Sequence, residues 1–359
     1  MRPWRARLRS GLQDLHPGSF AFVMATGIVS TGEMMFGRQL TSDALLVVAA
    51  AGYVVLCAAY ALRGALYPSR YWADTGRPGR AFGFFTFVAG SDVLALRLAL
   101  AGQSAAAEVL AVLGGLAWLL LSYGILARVA LARVKPPPGE AVNGNWLIWV
   151  VATQSLSIAF SVLGASSGLP PRVAALAATS LWAIGVLLYV LLMAIILARL
   201  LLLPLDPAQA SPPYWIIMGA TAITVFAGAH LLRLSPSLPS LVAARSTVEG
   251  FTLCLWAFGS WWIPFLILLT AWRYLAPAVR VYEQTLWSMV FPLGMYAVAT
   301  AAYGEAAGLP LLAPIARAEI WLALVVWLAV AFWMVTSWIR PVPPARLLAA
   351  GRTTPSARG

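Results

Sequence analysis

Ten apolar stretches, each about 19 to 31 residues long, run along the chain and are of two alternating kinds. About 20 apolar residues suffice for an α-helix to cross a bilayer, so the pattern predicts ten transmembrane helices. The even-numbered stretches are rich in Leu, Ala and Val, whereas the odd-numbered ones also carry Thr, Ser, Gln and an occasional carboxylate at mid-membrane depth. The predicted spans are 18–36, 42–66, 81–101, 105–131, 144–163, 173–203, 212–232, 248–272, 284–303 and 315–339.

The odd-numbered stretches begin at a near-constant interval of 63 to 72 residues. Because a fixed period is typical of repeated units, we predict an all-α integral membrane fold of five helical hairpins around a central pore. Each hairpin would give one polar-lined helix to the shared interior. Thr26, Thr153 and Thr221 lie near the middle of odd stretches, and we predict that they line the pore. The alternative, that such small residues serve close helix packing, stays open for each of them.

Composition and charge support a membrane protein and predict its orientation. Of 359 residues, 61% are hydrophobic and 10% are charged, whereas soluble domains contain about 25% charged residues. Of the 24 Lys and Arg residues, 18 fall in the two terminal segments and the loops on the same side of the membrane. Cytoplasmic loops are enriched in Lys and Arg, so we expect both termini in the cytoplasm and the chain in the plasma (inner) membrane. Five basic residues fall on the opposite side: Arg38, Arg172, Arg233, Arg245 and Arg317.

Two short segments flank the predicted ten-helix transport domain, which covers residues 18–339. Residues 1–17 place Trp and Leu at helical spacing among four arginines. That pattern predicts either a short helix on the cytoplasmic membrane surface or a basic tail. Residues 340–359 are rich in Pro, Arg, Ser and Thr, and we expect them to form a disordered cytoplasmic tail.

Four ionisable residues lie within or at the ends of odd-numbered spans: Glu33, Asp92, Arg97 and His230. Each is costly in lipid and should face protein or water. Glu33 and Arg97 lie at similar depth in neighbouring spans, which makes them a candidate charge pair; the alternative is that each reaches the interface separately. Asp92 lies near mid-span and is a candidate proton site, although a structural role is equally compatible with its position.

The chain offers little of the chemistry that other functions need. It has two His and two Cys, without the clusters that a metal centre or a nucleophilic active site requires. A nucleotide-binding loop is absent from the sequence, so ATP does not drive transport. We therefore expect no enzyme, no cofactor and no metal. The net charge of +12 is accounted for by membrane orientation and the lipid bilayer, without a nucleic-acid partner.

Three segments resemble the tellurite-resistance/dicarboxylate transporter family. Residues 16–30 (HPGSFAFVMATGIVS) look like its opening helix, residues 256–272 like its eighth and residues 287–296 (WSMVFPLGMY) like its ninth. The resemblance implies ten helices in five hairpins around a central pore, assembled as a homotrimer with one pore per protomer. In channel members a Phe beside a Pro in the ninth helix plugs the pore, and Phe291 with Pro292 match those positions.

The family includes bacterial TehA, plant slow-type anion channels, fungal malate permeases and sulfite exporters. The resemblance therefore implies transport of a small anionic substrate, such as a C4-dicarboxylate, a tellurite-related anion or an inorganic anion, through a pore gated by an aromatic residue. Two alternatives stay open: a proton-coupled malate or dicarboxylate carrier, and a sulfite exporter. The substrate cannot be read from the sequence. A membrane-embedded enzyme agrees less well with the residues.

Overall fold

A computed structural model describes residues 9–164, 167–234, 239–276 and 281–339. Within these ranges the fold is all-helical and contains no strand. Ten helices of 15 or more residues make up most of it. They are α1 (Ala21–Met35), α2 (Gln39–Leu66), α3 (Phe85–Leu100), α4 (Ser104–Ala130), α5 (Ile148–Leu163), α6 (Pro171–Leu202), α7 (Ile216–Arg233), α8 (Pro239–Leu275), α9 (Trp287–Ala306) and α10 (Ala313–Ile339).

Nine helical segments in the described ranges are long and apolar enough to cross a membrane. They correspond to the predicted spans two to ten, which confirms a multi-pass membrane protein. The segments containing α3, α5, α7 and α9 include the short helical turns that precede these helices, and α3 and α5 reach that length only together with them. Helix α1 is apolar but has 15 residues, or about 22 Å at 1.5 Å per residue. Its role as the tenth span stays a prediction.

The odd-numbered helices lie inside and the even-numbered ones outside. Helix α1 packs against α3, α3 against α5, α5 against α7, α7 against α9, and α9 against α1, so the five contacts close a ring. Each odd-numbered helix also packs against the even-numbered helix that follows it. In the most apolar 18-residue window of the segment containing α7, 89% of the residues are buried, against 17% for α2. The outer helices therefore present apolar surface on most sides, as lipid contact requires.

Glycines in the left-handed conformation form the turns between paired helices. Gly37 follows α1, Gly102 follows α3, Gly168 follows α5 and Gly308 follows α9, with φ angles of 67° to 78°. A left-handed residue after the last helical turn caps free carbonyl groups, and glycine adopts this conformation without a Cβ clash. Gly37, Gly102 and Gly308 form this cap directly after α1, α3 and α9, and its repetition is independent support for a repeated unit.

The flanking segments are described in part. Residues 9–13 are helical, which agrees with a short helix within the predicted 1–17 segment, whereas residues 1–8 lie outside the described ranges. The predicted disordered tail, 340–359, lies outside them as well. Its disorder and the boundaries of the transport domain stay predictions.

Candidate functional site

The three predicted lining threonines direct their hydroxyl groups towards the outer helices. The Thr26 hydroxyl accepts a hydrogen bond from the indole Nε1 of Trp327 on α10, at 3.0 Å. The Thr153 hydroxyl accepts one from Trp118 Nε1 on α4, at 2.9 Å. Thr221 packs its hydroxyl against a glycine of α8, where a Cβ would collide with it. These hydroxyls hold helices together, as in the packing alternative, and a lining role for the three residues stays a prediction.

The contacts of Thr26 and Thr153 belong to a pattern that repeats around the ring. Every outer helix donates one aromatic hydrogen bond to the next inner helix. The other three donors are Tyr53 to Ser91 at 2.9 Å, Tyr189 to the carbonyl of Ile217 at 3.4 Å, and Trp256 to Thr300 at 2.9 Å. The five donors recur in the sequence every 65 to 71 residues. That interval is a signal that our sequence analysis missed.

Asp92 lies at a junction of three helices. Its side chain is 3% exposed, and its Oδ2 accepts a 2.6 Å hydrogen bond from the Ser155 hydroxyl on α5. Its Oδ1 has no hydrogen-bond partner and lies against Gly114 of α4, where a Cβ would collide with it. The carboxyl group is therefore directed at α4 and α5. A proton-site role stays a prediction.

The predicted pair of Glu33 with Arg97 does not form. Glu33 is bonded to Arg38, whose Nη2 donates to its Oε1 at 2.8 Å. Arg97 is fully buried and its Nη2 donates to Asp43 Oδ1 at 2.8 Å and to the Ser42 hydroxyl at 2.9 Å. Matching depth alone was misleading because the tight turn after α1 brings Arg38 to Glu33, and Asp43, in the second turn of α2, to Arg97.

Phe291 lies on the side of α9 between its contacts with α1 and α7. Gly294 meets α1, Pro292 meets Gly219 of α7, and Thr300 meets α8. At about 100° per residue, Phe291 lies between the residues that meet α1 and the one that meets α7, and about 180° from Thr300. It therefore faces the side of α9 that the ring encloses. The Phe291 side chain is 1% exposed, so side chains fill the interior of the ring of helices at this level.

The enclosed sectors of two inner helices are mainly apolar. On α9, Met295 and Ala302 share the sector of Phe291 by the same angular argument and are buried. On α3, Val93 meets α1 and Asp92 meets α5. Ala89 and Leu96 lie between these directions and are buried. Several polar side chains of the odd-numbered helices instead bond to outer helices, as Thr26 and Thr153 do, while the described residues in the sector of Phe291 are apolar and buried.

A family model, described as voltage-dependent anion channel, matches residues 14–335. The chain belongs to the voltage-dependent anion channel family. This confirms the resemblance drawn from the helix motifs and makes the chain a member of a membrane transporter and channel family. What distinguishes members of that family from one another, including substrate and gating, does not follow from membership.

Individual relatives of this family member carry general descriptions. An uncharacterized membrane protein of Mycobacterium tuberculosis (strain H37Rv) is 47% identical over 140 residues, which cover 39% of this chain and 71% of that protein. Two uncharacterized transporters of Methanocaldococcus jannaschii are each 23% identical, over 300 and 299 residues. These matches cover 82% and 79% of this chain and 86% and 82% of the two transporters.

Proposed function

We propose that this protein conducts small anions across the plasma membrane through the interior of the five-helix ring, with Phe291 as the gate. The observation that carries the proposal is the sector of α9 in which Phe291 lies. It is a buried aromatic ring on the enclosed side of a closed ring of helices, beside a proline. Membership of an anion channel family supports the same conclusion. An apolar constriction of this kind closes a pore by excluding water.

Pro292 makes the gate region adaptable. Proline has no backbone N–H, so the carbonyl of Ser288 lacks its helical donor and α9 is weakened one turn before the proline. Gly219 of α7 lets Pro292 approach closely, since a Cβ there would meet the proline ring. A small change in the packing of α7 against α9 would therefore be transmitted to Phe291. We propose that this contact is the hinge about which the Phe291 side chain moves aside.

The remaining features of the proposed transporter are its orientation, assembly and substrate class. Both termini face the cytoplasm, as the distribution of arginines favours. The functional unit is a homotrimer with one pore per protomer. The substrates are small anions such as C4-dicarboxylates, tellurite-related anions or inorganic anions.

Reconstitution into liposomes tests the proposed activity directly. Purified protein would be placed in vesicles, and the flux of chloride, nitrate, sulfite, tellurite and malate would be measured with and without a proton gradient. A channel gives anion flux that follows the electrochemical gradient of the anion alone. Absence of flux for every anion, from the wild type and from a Phe291→Ala variant, would contradict the proposal.

A second candidate function is a proton-coupled dicarboxylate carrier, and one observation favours it. Asp92 is a buried carboxyl group with one oxygen unpartnered, which is a site where a proton could be taken up and released. In the carrier, a proton gradient would drive malate uphill and Asp92→Asn would abolish that coupling. Malate flux that is independent of the proton gradient in both the wild type and Asp92→Asn would exclude this candidate function.

A further inference from the structure

A basic cavity lies beside the end of α2, on the side of the fold where the N-terminal segment packs. Its volume is about 180 Å³. Residues of the N-terminal segment, of α2 and of the connection between α2 and α3 surround it. The lining residues are Gln13, Asp14, Arg63, Arg70, Ala73, Asp74, Arg77 and Arg80.

The cavity has more positive than negative charges, because four guanidinium groups and two carboxylates line it. Arg63 donates to Asp74 at 2.6 Å and Arg80 lies within 3.0 Å of the same carboxylate. Arg70 pairs with a second carboxylate, on the N-terminal segment. The Arg63 side chain is 2% exposed, and its Nη1 has no hydrogen-bond partner. Arg77 is exposed and forms no ion pair within the described part of the chain.

The cavity has four positive charges against two negative ones and one buried donor without a protein acceptor, and this chemistry favours an anionic ligand. A phosphate group would supply acceptors to several guanidinium groups at once, since the planar fork of arginine matches phosphate oxygens. A carboxylate or a metal ion would fit less well, because the first offers fewer oxygens and the second has the wrong charge.

An apolar groove adjoins this cavity. Its volume is about 420 Å³, and it lies between α2 and α4, over α3. Tyr60 of the groove is one helical turn from Arg63 of the cavity, and Tyr71 is next to Arg70, so the two spaces are lined by neighbouring residues. The groove is lined by Pro17, Phe20, Cys57, Tyr60, Tyr71, Phe84, Phe87, Ala117, Leu120 and Leu121.

We propose that an anionic phospholipid binds here, with its phosphate in the arginine cavity and one acyl chain in the groove. The charge of the cavity matches the headgroup, and the groove opens on the outer, lipid-facing helices. Basic pockets at the ends of transmembrane helices bind anionic headgroups in this manner. Trp72 supports the placement of the cavity at the level of the membrane surface. Its side chain is 57% exposed beside the cavity, and the Arg128 guanidinium lies over its ring at 5.7 Å. The lipid would fasten the N-terminal segment to α2 and α3.

Thermal stability and native mass spectrometry in detergent test the proposal on the full chain. Phosphatidylglycerol, phosphatidylcholine and inorganic phosphate would each be titrated into the wild type. The variants are Arg70→Gln and Arg77→Gln, whose side chains reach water, and the matched control is Arg133→Gln, an exposed arginine that is not among the lining residues. We expect phosphatidylglycerol to bind and stabilise the wild type. Each cavity substitution should weaken binding by roughly fivefold, since an arginine near an anionic surface contributes about 1 kcal/mol, and Arg133→Gln should leave it unchanged.

Three results would overturn the proposal. Equal stabilisation by phosphatidylcholine would show that the charge of the headgroup is irrelevant. Inorganic phosphate as effective as the lipid would show an ion site without a role for the groove. Unchanged phosphatidylglycerol binding in an Arg70→Gln/Arg77→Gln double variant would place the lipid elsewhere. A Leu120→Trp variant, which fills the groove from its exposed wall, should weaken lipid binding and leave phosphate binding unaltered.

Discussion

The buried guanidinium of Arg97 allows a quantitative test of how the ends of α1, α2 and α3 are joined. Removing the partner of a buried ion costs about 3–5 kcal/mol, because the remaining charge is left without compensation. The Asp43 side chain is 54% exposed, so water reaches the pair and reduces its contribution. We therefore expect Asp43→Ala to lower the free energy of unfolding by about 2 kcal/mol.

Glu33→Ala is the matched control. It removes a fully buried carboxylate, but it leaves behind Arg38, which is 23% exposed and lies over the Trp321 ring at 4.3 Å. Arg38 can turn its charge to water and keep that stacking contact. The loss should therefore be about 1 kcal/mol or less, in the range of partly exposed ion pairs.

Double-mutant cycles would separate the two pairs, using unfolding followed by tryptophan fluorescence in detergent. The cycle of Arg97→Leu with Asp43→Ala should give a coupling energy of about 1 kcal/mol or more. The cycle of Arg97→Leu with Glu33→Ala should give less than about 0.5 kcal/mol, as for groups that share no partner. A coupling of Arg97 to Glu33 as large as its coupling to Asp43 would refute the pairing described above.

Three further predictions concern the aromatic contacts, the N-terminal segment and the topology. Trp118→Phe should lower the free energy of unfolding by about 1 kcal/mol, because one hydrogen bond to Thr153 is lost; an equal loss in a Thr153→Val background, where the accepting hydroxyl is already absent, would contradict this. Burial and the nearby Arg80 lower the pKa of His16 from 6.5 to about 4, so the neutral form is favoured by folding. Stability should therefore be constant above pH 6.5 and decline as the pH falls towards 4; the thermal midpoint of His16→Asn should decline less over that interval, and equal declines would exclude His16 as the cause. Cysteines placed at positions 4 and 350, in a background without the native cysteines, should be protected from an impermeant reagent applied to intact cells, and labelling of either would overturn the proposed topology.

Nine of the spans in the described residues could be predicted because bilayer thickness fixes span length and apolar composition identifies the spans, whereas helix α1, with 15 residues, stays a predicted span. The odd–even distinction also agrees with the inner and outer positions in the contact ring. The turn glycines and the aromatic donors could also have been found in the sequence, because in each case one kind of residue recurs at about the interval of the spans.

The directions of the polar side chains could not be predicted. Residues on nearly every side of an inner helix such as α7 are buried, so hydrophobic periodicity does not distinguish the face towards an outer helix from the face towards the interior. For Thr26, the position on an inner helix could be predicted, but the contact with Trp327 of an outer helix could not. The partner of Arg97 could not be predicted for the same reason, because depth in the membrane does not tell in which direction around the helix a side chain points.

The central claim is that Phe291 closes an anion path through the ring. The direct measurement is anion flux into proteoliposomes for Phe291→Ala, beside wild type and Phe22→Ala, a control in which the lost ring packs against Gly52 of the outer helix α2. Removing the Phe291 ring opens and wets the constriction without adding charge, so flux should rise several-fold while selectivity among anions falls, and Phe22→Ala should conduct like wild type. Unchanged flux for Phe291→Ala in folded, inserted protein, or an equal rise in both variants, would contradict the account.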